Sequence, residues 1–112
     1  MNIQFKSRKT QKVFNSQKLL VKNYGKENAK HIARRMAVLQ TANTLDDLPK
    51  VKPDRCHALT GNRKGQFAVD QKHPYRLVFV PNHEPVPQKV DAGIDLSKVT
   101  AILIINVEDY HQ

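Results

Sequence analysis

The chain has 112 residues, 39% of them hydrophobic, with no Trp, a single Cys and a formal charge of +9. That length makes one domain, residues 1–112, around one modest core. No apolar run approaches the roughly 20 residues of a membrane span, and the lone Cys56 excludes an internal disulfide or a cysteine-pair metal site. "MNIQFKSRK" lacks the apolar stretch of a signal peptide, so the expected location is cytoplasmic.

In chain order, "MNIQF" alternates Ile3 and Phe5 with polar residues and predicts a first strand. Val13, Phe14, Leu20 and Val21 fall at helical spacings between about Lys9 and Lys22, and "NYGKEN" breaks that pattern at Gly25. Ala29, Ile32, Ala33, Met36, Ala37 and Leu39 predict a second helix from Glu27 to about Thr41–Thr44. Pro49 and Pro53 then forbid further helix. From Arg55 the period falls to two. "RCHAL" is a strand, "TGNRKG" a glycine-bounded turn, and "QFAVD" and "YRLVFV" are an antiparallel hairpin closed by "QKHP". A polar loop with three prolines, residues 81–98, leads to a last strand in "VTAILIINVEDYH", whose near-continuous apolarity predicts neighbours on both sides. Strand, helical hairpin and four further strands give an α+β domain, with helices packed on one face of a mainly antiparallel sheet.

The charge is not evenly spread. Residues 1–35 hold ten Lys or Arg against Glu27 alone, while residues 36–112 are balanced at nine of each sign. The surplus belongs to the helical hairpin. It is either a solvated lysine-rich face or a docking surface for a polyanion, nucleic acid or acidic protein.

Strand alternation places Tyr75, Leu77 and Phe79 on one face and Arg76, Val78 and Val80 on the other. An isolated buried charge is too costly to persist, so Arg76 is paired or faces a cleft. In "TGNRKG", Asn62, Arg63 and Lys64 between two glycines make either an ordinary polar turn or a phosphate clamp. At the chain's end Asp109 and His111 share a face, with Tyr110 opposite; this tip is a capping cluster or a reactive site. His57, His73 and His83 have no metal-ligand spacing: His73 is a turn residue before Pro74, and the other two are surface or strand positions. No metal site and no cofactor loop is visible.

Taken together, "LTGNRKGQFAVDQKHPYRLVF" and the closing "VEDYH" resemble the HigB branch of the RelE/ParE toxin superfamily, the small basic toxins of type II toxin–antitoxin modules. The resemblance covers most of the chain. It implies a RelE-like fold and a ribosome-dependent endoribonuclease that cuts mRNA by attack of a ribose 2′-OH on the adjacent phosphate, with neither metal nor cofactor, so that translation stops. It implies His111 as acid or base, since an imidazole titrates at about 6.5. Tyr110 would assist, Asp109 would orient His111 or bind a base edge, and Arg76 would stabilise the transition state. Arg63, Lys64, Asn62 and Lys72 would hold RNA phosphates, while Lys9, Lys12, Lys30, Arg34 and Arg35 would dock on the ribosome. The implied partners are a HigA-like helix-turn-helix antitoxin, the ribosome and mRNA, with no membrane. The chain departs from the family pattern at Thr60, where many members have Lys, at Gln71 or Lys72, near which several carry a further Arg, and in the longer loop 81–98. These departures frame a second reading: a relative that binds an antitoxin and modulates transcription without cutting RNA.

Overall fold

The computed structural model describes residues 1–91 and 93–109. Among them are three α-helices and five strands: β1 (Asn2–Phe5), α1 (Arg8–Phe14), α2 (Gln17–Tyr24), α3 (Lys26–Thr41), β2 (His57–Ala58), β3 (Phe67–Asp70), β4 (Tyr75–Pro81) and β5 (Ala101–Asp109), with short 3₁₀ turns at Leu45–Asp47, Gly61–Arg63 and Leu96–Lys98. The α+β class holds. The sheet is mixed, in the order β1-β5-β4-β3-β2: β1 lies parallel to β5, and the other neighbours are antiparallel.

The first expected helix is two helices. Its apolar spacing runs on across the break, but Ser16 leaves the helical backbone conformation and its hydroxyl accepts the Leu19 N–H at 3.2 Å, starting α2 afresh. Ser7 caps α1 in the same way, accepting from Thr10 at 3.1 Å. Between α2 and α3 a single residue suffices. Gly25, at φ 85°, ends one helix and begins the next, a left-handed conformation that favours glycine. The strand expected over "RCHAL" shortens to His57–Ala58.

The helices cover one face of the sheet. Leu39, Leu77, Phe79, Ile102 and Ile104 are buried in the same core, against which Phe14 and Met36 pack from the helices and Ile3 and Phe5 from β1. Each such side chain removed from water contributes about 1.5–3 kcal/mol. The second face carries a smaller cluster, Leu59, Ala68 and Val78 with Ile105 against them, and no helix residue belongs to it. β5 is flanked on both sides, by β1 and β4, as its apolarity predicts, while the middle place in the sheet falls to β4.

Arg35 is a correction to the proposed docking face. It is 5% exposed. Its Nε donates to the Asp70 carbonyl at 2.6 Å and its Nη2 to that of Pro53 at 3.3 Å, and Nη1 lies 3.7 Å from the Asp54 carboxylate. Arg35 therefore fastens α3 to the Pro53–Asp54 segment and to the end of β3. The other nine cations of the first 35 residues, Lys9, Lys12, Lys30 and Arg34 among them, are exposed.

Candidate active site on the uncovered sheet face

The uncovered face owes its chemistry to an irregularity in β5. From Pro81↔Ile102 to Phe79↔Ile104 the β4–β5 register is regular; it then shifts, and Val78 faces Asn106. Ile105 is the extra residue, a β-bulge. Continued without it, the inward alternation of Ile102 and Ile104 would turn Asn106 and Glu108 toward the helices. With it, Val107 packs against the helix-covered core and Glu108 emerges opposite Arg76.

Two guanidinium groups converge on that carboxylate. Arg76 donates through Nε and Nη2 to Glu108 Oε1 at 3.1 and 2.9 Å. Arg63, reaching in from the 3₁₀ turn, places Nη1 3.0 Å from Oε1 and donates from Nη2 to Oε2 at 3.1 Å, while its Nε is held by the Gln66 side chain at 2.7 Å. Burial pushes the Glu108 carboxyl up, but the hydrogen bonds and charges of Arg63 and Arg76 outweigh it and hold the group below the ordinary carboxylate range. One strand away Asp70 is the register partner of Arg76, and it takes both Nε and Nη2 of Arg55 at 2.7 and 2.9 Å. Asp70, Arg76 and Glu108 are successive register partners on β3, β4 and β5, and Arg55 and Arg63, both from segments that precede β3, pair with the two carboxylates, so the group of three arginines and two acids is net positive.

His57 borders the same face. Paired with Ala68, it stands on the side of Leu59 and Val78, and with Thr60, Arg63 and Arg76 it lines a cleft of about 290 Å³. Its Nδ1 lies 2.8 Å from the Arg55 carbonyl oxygen. A carbonyl only accepts, so Nδ1 carries the hydrogen and, in the neutral ring, Nε2 is left as the acceptor. Arg55 supplies that carbonyl from φ 45°, a left-handed backbone held in place by the Asp70 ion pair. An oriented imidazole beside two arginines can take a proton next to a bound anion.

The expected site residues divide accordingly. Arg76 and Arg63 come together. Asn62 and Lys64 are exposed on the same turn. Lys72 is instead drawn to the helices, forming an ion pair with Glu27 at the start of α3 that holds the Glu27 carboxyl below its usual range. Asp109 faces Tyr75 in the β4–β5 register, on the side of Leu77 and Val107 and away from the arginine row. Tyr110 and His111 lie outside the described residues. Glu108 and His57 were missed from sequence. For His57 a signal existed, since it is two residues before the apolar Leu59 on a strand that runs into the Arg63 turn. No family model matches the chain, and no curated protein matches it.

Proposed function

We propose that the chain is a HigB-like toxin of a type II toxin–antitoxin module, a ribosome-dependent endoribonuclease that needs no metal, with a HigA-like antitoxin as its partner. The observation that carries this reading is that Glu108 gathers Arg63 and Arg76 into one cationic group lining the same cleft as an oriented imidazole, on the face of the sheet that the helices leave open. The parallel pairing of the first strand with the last, the antiparallel run from β2 to β5 and the helices on one side support the RelE-like form. Nine exposed cations on and around the helices suit attachment to ribosomal RNA, a salt-dependent contact with little sequence information.

In the proposed reaction the ribose 2′-oxygen attacks the adjacent phosphorus and the P–O5′ bond breaks, leaving a 2′,3′-cyclic phosphate and a 5′-hydroxyl. The 2′-OH proton goes to a base, for which the candidate is His57 Nε2, the ring nitrogen that the Arg55 carbonyl leaves unused in the cleft lined also by Arg63 and Arg76. The departing 5′-oxygen takes a proton from an acid, the role that the resemblance gives to His111. Arg63 and Arg76 stabilise the charge of the pentacoordinate phosphorus, with Glu108 keeping their two planes aimed at one point.

A second reading has its own support. Glu108 already satisfies both arginines, and Thr60 stands where many HigB-like toxins have Lys, which suits a relative that binds its antitoxin without cutting RNA. Cleavage of ribosome-bound mRNA by the wild type, set against Arg76→Ala and His111→Ala, separates the two. The nuclease reading expects cuts from the wild type that both variants lose; an inert wild type that still binds antitoxin overturns it.

A further inference from the structure

β1 is an edge strand, with β5 on one side and no strand on the other. Its ladder takes alternate residues. Asn2 N–H donates to the Thr100 carbonyl and Lys6 N–H to that of Ile104, both at 2.9 Å, so the even-numbered residues turn their backbone groups toward β5. Ile3 and Phe5 turn theirs the other way, where among the described residues nothing hydrogen-bonds to them. A row of such N–H and C=O groups is a template for one more strand.

A groove of about 410 Å³ lies between β1 and the three helices. Ile3, Phe5, Phe14 and Met36 give it apolar walls, and exposed amides, Gln11 and Gln17 among them, line it as well. A strand laid along β1 sends every second side chain to the helix side, next to Ile3 and Phe5 and toward the groove, while the others join Asn2 and Gln4 on the exposed side. The charge of the neighbourhood selects the occupant. From Met1 to Lys26, a stretch that contains β1, α1 and α2, there are seven Lys or Arg, all exposed, and no acid. A second copy would bring the same charge to the edge and be repelled, whereas a segment rich in Asp or Glu is drawn to it.

We propose that the open edge of β1 takes an extended, acidic segment of a partner protein as an added strand, with an apolar side chain of that segment seated in the groove. Neither the arginine pair nor His57 lines the groove, so the inference stands apart from the nuclease reading. It is tested by adding to ¹⁵N-labelled protein a short synthetic peptide that alternates Glu with Val, capped at both ends, and following amide hydrogen exchange. The Ile3 and Phe5 amides should exchange several-fold more slowly with the peptide bound, and the affinity should fall as salt rises. N-methylation of the peptide amides that would face β1 should abolish the slowing. Ala33→Trp, which fills the groove from an exposed position on α3, should weaken binding several-fold while the protein melts as wild type does. Unchanged exchange at Ile3 and Phe5, or full binding of the N-methylated peptide, overturns the inference. Equal slowing with poly-glutamate or with single-stranded RNA overturns it too, since neither carries the apolar side chain. So does slowing that grows with protein concentration in the absence of peptide, which would make the occupant a second copy.

Discussion

Arg76 and Glu108 face each other across β4 and β5, their contact at 2.9 Å made possible by the one-residue bulge at Ile105, and Arg63 binds the same carboxylate. Glu108 is the hinge of this group, since its removal leaves two largely desolvated guanidinium groups without their shared anion. Glu108→Gln should destabilise the fold by about 1–3 kcal/mol near neutral pH, measured by urea unfolding. The pH dependence has a definite sign. The folded carboxyl titrates below its ordinary 4.5, so its contribution is fully present above that value and is lost as pH falls through the lower, folded value. Urea midpoints taken down the acid limb should fall less steeply in Glu108→Gln than in wild type.

His57 is placed to accept a proton through Nε2. His57→Ala should lower cleavage of ribosome-bound mRNA by about 10²–10⁴-fold while unfolding at the same urea concentration within error. His57→Gln, which keeps a hydrogen-bond donor but supplies no base, should be impaired as His57→Ala is. Full activity in His57→Ala would show that the imidazole only holds the Arg55 carbonyl.

Neighbouring arginines on α3 should behave oppositely. Arg35→Ala strands the buried Asp54 carboxylate and should cost about 3–5 kcal/mol. Arg34→Ala, at an exposed position, should change stability by no more than about 0.5 kcal/mol and instead lower the affinity for ribosomes at low salt. Thermal melts and sedimentation with ribosomes read the two effects separately.

Ser16→Ala should cost about 1 kcal/mol by leaving the Leu19 N–H without its cap. Ser16→Asp, which keeps an acceptor at that place, should recover most of the loss; equal midpoints for all three proteins in urea would discount the cap.

The Cys56 thiol is pushed up to about 11 by burial, so near neutrality it is held as the unreactive thiol. Iodoacetamide should label it slowly in the folded protein and rapidly in urea. Rapid native labelling at the rate of free cysteine would contradict the buried site.

The contrast between what was legible and what was not has local causes. The apolar spacing of α3, the β3–β4 hairpin and the side to which Arg76 points follow directly from periodicity, because Val78 and Val80 share its face as simple alternation requires. "TGNRKG" likewise marks the turn that delivers Arg63. Glu108 was hidden because counting in twos along "AILIINVED" sends it to the wrong face, and a bulge inside an unbroken apolar run leaves no mark in composition. Arg35 was hidden by Arg34: two adjacent cations look alike in sequence, yet on a helix they point about 100° apart, one to solvent and one to the core. The division of the first helix was hidden because Ser16 interrupts the backbone without interrupting the apolar pattern.

The parallel pairing of β1 with β5 also has a bearing on timing. During synthesis β1 and the three helices emerge first, but their sheet partner, the strand that bears Glu108, comes after every other element in the chain. Contacts of such long sequence separation form late. The nascent chain therefore holds its cationic helices before the carboxylate that gathers Arg63 and Arg76 has been made, so the charged outer surface precedes the ordered charge cluster of the sheet.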